Sequence, residues 1–361
     1  MLFPLDPTTA RCKIFTGLNT VLMNFFHESI NSNEFSQDLF PGDVGAACWD
    51  NEPTREKFEQ LWDELSALSV ADRQCLHDTI ANNQEIRRFF IDRMAPFPTI
   101  QPDSLKTALG KLTKHLYLRS KDLVDVCRAC GNESIQNHFE TFRTQNGNIC
   151  AVCGTELLAQ RREDVPDGDQ WRSAYDHLLS KDKYPAYAIH PDNLLPICDT
   201  CNSKAKGADE LLVASDKTTR RLSFYPHEES CHEFVEVKLT YVDIAPDLIV
   251  SWVTGDPNTS EKLAAWDEIY EVKSRVEGEQ SDFVAWLDSE CQPVDLNDFS
   301  TQISRKSQPP TQISVKNECW KFWRYKLYVW IQNQGYEVIS QIWAMIEKRR
   351  SDDDSFAVYG I

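Results

Sequence analysis

The chain has 361 residues, 41% of them apolar and 26% charged, and carries a formal net charge of −18 at pH 7. That length is read as about two or three packing units, and the ordinary globular composition excludes fibrous and disordered classes. The acidity excludes simple electrostatic capture of nucleic acid, because non-specific binding is mostly neutralisation of phosphate charge by basic residues.

The opening MLFPLDPTTARCKIF has no basic segment leading into an apolar run, so a secretory signal is not expected. No window approaches the roughly 20 apolar residues of a membrane helix, and DLIVSWV and LYVWI have the length of core segments. A cytoplasmic chain without membrane attachment is therefore expected. Its twelve cysteines read as reduced thiols, some of them ligands, rather than as disulfides.

From 16 to about 121 apolar residues recur at three- and four-residue spacing, as in REKFEQLWDELSAL and LKTALGKLTKHLYL, which predicts a helical N-terminal region over 1–125. FPGDVGA and APFPTIQP punctuate it. Over 126–215 cysteine pairs, glycines and short β-prone pieces such as AYAI and NLLPI replace the helical periods. The remainder, 216–361, reads as mixed. HEFVEVKLTYVDI and DLIVSWVTG alternate like strands, and SEKLAAWDEIYEVKSRVEGEQSDFVAWL is helical. DLNDFSTQISRKSQPPTQ has the polar, proline-bearing composition of a linker. A last helix from about 314 to 349 carries Trp320, Phe322, Trp323, Tyr325, Tyr328, Trp330 and Trp343, read as core or a protein interface in preference to a base-stacking face. RRSDDDSFAVYGI reads as a solvated tail, and no solenoid repeat is present. The expected fold class is α+β.

Six of the twelve cysteines fall into C-x-x-C pairs. Cys150 and Cys153 in ICAVCGTE and Cys198 and Cys201 in ICDTCNSK match a four-thiolate structural zinc site, each tight turn offering two sulfurs. A third pair, Cys127 and Cys130 in VCRACGNE, either competes for that zinc, forms a second site with distant donors such as His138, His227, Cys231 or His232, or holds no metal. Between the two main pairs lie Asp176, His177, Lys183 and Asn193, with Asn202 directly after the last cysteine. A strand through 175–177, a lysine-bearing loop, a strand through 194–197 and a helix from near Cys201 are predicted. That helix would put Asn202 and Lys206 on one face and bring Asn202 near Asp176.

YDHLLSKDKYP followed by HPDNLLPICDTCNSKAKG resembles the HNH nuclease motif, the ββα-metal fold of many phage-related and homing endonucleases and colicin-type DNases. The resemblance covers about 149–207. It implies a central ββα-metal module with His177 as general base, Asp176 and Asn202 as ligands of one catalytic Mg²⁺ or Mn²⁺, and Asn193 fixing the loop that bears His177. Carboxylate and amide oxygens are hard donors suited to those ions. An imidazole can take a proton from water near neutral pH. Lys181, Lys183, Lys204 and Lys206 are the candidate phosphate contacts, Lys206 foremost because of the shared helix face. Family members often have a lysine three residues after the aligned asparagine, where this chain has Ala205 with lysines on either side. His190 stands where a small polar residue is expected and is read as structural.

The DH…KYP…NL.P.C..CN style also resembles nuclease subunits of bacterial anti-phage systems, including Septu-like pairs with an ATPase. The resemblance implies an endonuclease acting on nucleic acid, DNA in preference to RNA, in phage defence. The acidity agrees with direction by a protein partner such as an ATPase subunit. The alternatives are an RNA nuclease acting on tRNA, and a non-catalytic zinc-ribbon adaptor in which Asp176 and His177 are incidental.

Overall fold

The computed structural model describes residues 1–166, 169–240 and 246–357, with side chains as far as 352 in the last helix. Amphipathic periods set the N-terminal helices, of which Lys13–Ser29, Glu52–Ser66 and Asp103–Leu118 bury Phe15, Leu18, Phe25, Phe58, Leu61, Leu109 and Leu112 in one core. Asn51 caps the second of these by accepting from the Thr54 amide at 3.1 Å. Helix accounts for 58% of the structure and strand for two small sheets, an α+β arrangement. All twelve cysteines are free thiols. No described helix is long and apolar enough to cross a membrane.

Strand β1 (Tyr175–His177) pairs antiparallel with β2 (Leu194–Pro196), with Asp176 opposite Leu195 and His177 opposite Leu194. Successive residues of a strand face opposite ways. Leu194 accordingly joins the N-terminal core, together with Tyr175, Ala186 and Ile189, while Leu195, Ile197, Leu178 and Leu179 join a second core. The hairpin is thus a wall between two cores. The second core holds the four main cysteines, the sheet of β3 (Val235–Leu239) and β4 (Leu248–Trp252), and the C-terminal helices.

The cores do not follow the sequence boundaries at 125 and 215. Met1, Leu2, Phe3 and Leu5 lie in the second core, where the Leu2 and Phe3 amides donate to the Ala151 carbonyl and Met1 accepts from the Cys231 amide.

Two C-terminal expectations change. The polar stretch read as a linker contains a helix, Leu296–Lys306, capped by Asp295 and fully burying Phe299 and Ile303. Those two residues are four apart on one helix face, a stripe narrow enough to be outweighed by the polar residues around it. The single aromatic helix is three, Gln312–Asn317, Lys321–Gln334 and Tyr336–Ala357, interrupted by the positive φ of Trp320 (67°) and Gly335 (84°). Phe322, Trp323, Tyr328 and Trp343 are buried in it, and Trp320, Tyr325 and Trp330 partly so. The segment read as a solvated tail continues the last helix, with Arg349 paired to Asp282 and Arg350 to Asp288. Residues 358–361 of it lie outside the described residues.

Candidate functional site

The first cysteine turn closes on itself, the Gly154 amide donating to the Cys150 carbonyl at 2.8 Å with Gly154 at φ 71°, a conformation that favours glycine. The indole of Trp323 donates to the Cys153 carbonyl at 2.7 Å and so ties the aromatic helix to this turn. Cys198 follows β2 and Cys201 sits in the next turn. All four cysteines are buried, and their sulfurs lie within 4.8 Å of one another. Zn–S bonds of about 2.3 Å in a tetrahedron require sulfurs about 3.8 Å apart; Cys153 and Cys198 stand at 3.9 Å. The cluster can hold a metal ion, and its donor set suits zinc.

Donors surround the sulfurs as thiolates require. Thr155 Oγ1 donates to Cys153 at 3.1 Å, Arg275 Nη1 to Cys201 at 3.3 Å, and the Cys198 and Cys201 amides to Cys150 and Cys198 at 3.4 Å each. Hydrogen bonds from the other three cysteines hold the Cys153 thiol well below its usual range, while burial pushes Cys150 well above. The third pair gathers no comparable set among the described residues. Cys127 donates to the Lys121 carbonyl at 3.6 Å, and Cys130 packs against Gly17. His138 is bonded to the Tyr175 hydroxyl at 2.5 Å, His232 to Ser230 at 3.0 Å, and Cys231 lies beside Met1.

Strand β1 ends at His177. Its Nε2 lies 2.9 Å from the Ala188 carbonyl, which can only accept, so Nε2 carries the hydrogen and Nδ1 the lone pair. Burial first, then the Lys181 ammonium, push the imidazole down to about 3, so it is neutral at physiological pH. The Tyr117 ring packs 4.7 Å from it and the Tyr117 hydroxyl donates to the Tyr175 carbonyl at 2.8 Å.

Asn193 is 0% exposed and spans the loop after His177. Its Oδ1 accepts from the Leu179 amide at 2.6 Å, and its Nδ2 donates to the Leu179 and Tyr187 carbonyls at 3.1 and 2.8 Å. The geometry is that of a brace for the loop. His190 is buried and accepts the Asp192 amide on Nδ1 at 3.2 Å.

The segment after Cys198 departs from the predicted helix. Thr200–Lys206 is one π turn, the Gly207 amide donating to the Asn202 carbonyl five residues back at 3.0 Å. Within it Asn202 and Lys206 have different surroundings. Lys206 is 5% exposed and donates to Asp176 Oδ1 at 3.0 Å and to the His177 carbonyl at 2.9 Å. Asn202 instead lines a cavity of about 670 Å³ with Asp199, Ser203, Trp171, Arg172 and Trp320, and neither Asp176 nor His177 forms its wall. Asp176 Oδ2 is enclosed without a partner, and burial raises the carboxyl above its ordinary value against the pull of Lys206. An ammonium therefore stands on Asp176 where the resemblance places a divalent cation. As folded, Asp176 and Asn202 do not fit a catalytic Mg²⁺ or Mn²⁺.

The other lysines divide. Lys183 is paired with Glu210 at 2.6 Å, Lys181 lies 5.9 Å from the Tyr117 ring, and Lys204 is exposed. Lys206 is no surface phosphate contact, being buried on Asp176. Residues the sequence reading missed are Tyr117, Arg275, Trp323 and Tyr270, the last with a buried hydroxyl lacking a partner. They come from distant helices, and no local spacing announces them. No protein-family model, curated protein or solved structure matches the chain.

Proposed function

We propose that the chain is a phosphodiester hydrolase of the HNH type whose general base is His177. One observation carries the reading: an imidazole with its Nε2 hydrogen committed to the Ala188 carbonyl, which leaves the lone pair on Nδ1. The short hairpin, the Asn193 brace and the four-cysteine cluster around it support the same reading. In this chemistry Nδ1 takes a proton from water as the water oxygen bonds to phosphorus and the phosphorus bond to the leaving 3′ oxygen breaks, that oxygen taking a proton from solvent. A group held at about 3 is a weak base, but the negative charge of a bound phosphate favours imidazolium and raises it. The part assigned to this chain's residues is that proton transfer alone, because the Lys206 ammonium stands on Asp176.

The proposed substrate is DNA in preference to RNA, and the proposed setting is a cytoplasmic anti-phage complex in which an ATPase-type partner directs an acidic nuclease to its target. The test is cleavage of plasmid DNA and total tRNA by the zinc-loaded protein with Mg²⁺ or Mn²⁺, beside a folded, zinc-loaded His177→Ala variant. Cleavage lost in the variant supports the reading and names the substrate class; equal cleavage by both removes His177 from the chemistry.

The Asp176–Lys206 pair favours a second reading, a zinc-ribbon adaptor in which that pair is a structural ion pair. Absence of cleavage by the wild type, with its partner present, supports the adaptor.

A further inference from the structure

The Asp103–Leu118 helix reverses the charge balance of the chain. It carries Lys106, Lys111 and Lys114 against Asp103 alone, where the whole sequence has 38 basic and 56 acidic residues. Its apolar stripe, Leu105, Leu109, Leu112 and Leu116, is buried in the N-terminal core, which leaves the lysines to the flank and the outer side. Lys106, Gly110 and Lys114 are spaced four apart and so form one row along the helix, continued by Tyr117.

That row borders the hairpin. A Cβ on Gly110 would lie 3.9 Å from Pro185, Lys106 and Lys183 line one cavity of about 280 Å³, and the Tyr117 ring packs on His177. From the loop after β1, Lys181 brings its ammonium to 5.9 Å from the Tyr117 ring, near enough to act on the imidazole by charge. The ion pairs of this region, Lys121 with Asp122 and Lys183 with Glu210, leave Lys106, Lys111, Lys114 and Lys181 without a carboxylate partner among the described residues. Asp103 and the exposed Asp182 oppose these four cations, so the face keeps a positive surplus. Salt screens charges beyond about 8 Å at physiological ionic strength, so this surplus acts on a nearby polyanion while the remote acids that set the net charge of −18 do not.

We propose that this row is a track on which a nucleic-acid strand lies by its phosphates, with Lys106 at one end and Lys181 beside Tyr117 and His177 at the other. It rests on the hydrolase reading for the choice of polyanion and adds the surface that brings a phosphate to the imidazole. From Lys106 to Tyr117 the helix rises about 16 Å at 1.5 Å per residue, the axial length of about five phosphates on one strand of a duplex. The contact is to the backbone, because an ammonium is a point charge that positions phosphate without reading the base.

Fluorescence anisotropy of a short labelled DNA duplex, and of the RNA duplex of the same sequence, with the zinc-loaded full chain and no added Mg²⁺ or Mn²⁺ tests this. Wild type is expected to bind at about 50 mM salt and to release as salt rises. The variant K114Q/K181Q is expected to flatten the slope of log affinity against log salt by about two, and K273Q/K348Q, the same charge change on helices of the second core, to leave it as in wild type. An unchanged slope in K114Q/K181Q overturns the proposal, as does an equal change in K273Q/K348Q or a wild type that holds neither duplex. Polyglutamate that displaces the duplex at equal charge concentration overturns the assignment to nucleic acid. A measurement on wild type alone removes dependence on variants: bound duplex is expected to protect Lys106, Lys114 and Lys181 from acylation, mapped by mass spectrometry, and to leave Lys348 reactive, and uniform reactivity overturns the track. Cleavage by His177→Ala judges the hydrolase reading separately: lysine-dependent binding without His177-dependent cleavage leaves the track standing and removes the hydrolase.

Discussion

Asn193→Ala is the sharpest single perturbation of the hairpin. Three hydrogen bonds disappear, but their loss is unequal. The Tyr187 carbonyl keeps the His190 amide as a donor at 3.0 Å, whereas the Leu179 amide and carbonyl lose the partners that Asn193 supplied. Leu179 is 2% exposed, so water does not replace them. Two stranded buried groups at about 1–3 kcal/mol each give a destabilisation of about 4 kcal/mol. Urea unfolding of the zinc-loaded protein measures it. Asn193→Asp separates acceptor from donor: it keeps an oxygen for the Leu179 amide, loses the Nδ2 donor and adds a charge facing two carbonyls, so it is expected to cost at least as much as alanine. A loss below about 1 kcal/mol for alanine, with the zinc content and circular dichroism of the wild type, would refute the brace.

Acid should act through buried neutral imidazoles. Burial lowers His190 to about 4, so between its ordinary value of 6.5 and that point the unfolded chain binds the proton and the folded chain does not. Stability is therefore unaffected by His190 above the upper value and falls as pH drops below it, by about 2 kcal/mol at pH 5; His190→Gln, whose side-chain oxygen can still accept the Asp192 amide, should show a shallower fall by that amount in paired unfolding curves. Metal analysis should give about one zinc per chain, with chelation lowering the melting temperature by several degrees. A second equivalent would assign metal to Cys127 and Cys130, and none would remove zinc from the fold. Gly147→Ala should cost about 3 kcal/mol or more, because Gly147 sits at φ 91° and an added Cβ would press on the Lys316 carbonyl, which accepts the Ile149 amide; an unchanged urea midpoint would contradict this.

What the sequence disclosed was local. The cysteine pairs and the strand positions of Tyr175 to His177 and Leu194 to Pro196 follow from spacings of a few residues, whereas the role of Asn193 in the loop came from the resemblance. Lys206 shows where that reasoning stops. Helical spacing puts it above Asn202, whereas Lys206 is buried on Asp176 and Asn202 lines the cavity. Nothing in CNSKAKG announces that contact, since the carboxylate that Lys206 meets lies 30 positions away. The helix at Leu296–Lys306 failed to register for a related reason: two buried side chains, Phe299 and Ile303, determine it, and both are surrounded by polar residues. Tyr117, Arg275 and Trp323 reach the hairpin and the cysteine cluster only through tertiary packing.

The hairpin's place between two cores gives the candidate site its mechanical character. Leu194 is held by helices from the N-terminal region and Leu195 by the core that contains the cysteine cluster, so each strand is gripped from both sides. His177 is positioned across that wall: Tyr117 from the Asp103–Leu118 helix packs on its ring, while the Lys206 ammonium reaches its carbonyl from the turn anchored by Cys201. A shift of one core against the other therefore cannot leave both contacts intact. The long flanking regions are in this sense part of the site. A partner that grips the N-terminal helices acts on the imidazole through Tyr117, and one that grips the C-terminal helices acts on the cysteine turn through Trp323 and Arg275. Packed interiors transmit such displacements because they have little free volume to absorb them. Under the proposed function, a contact that brought the chain to nucleic acid would also set the geometry of His177.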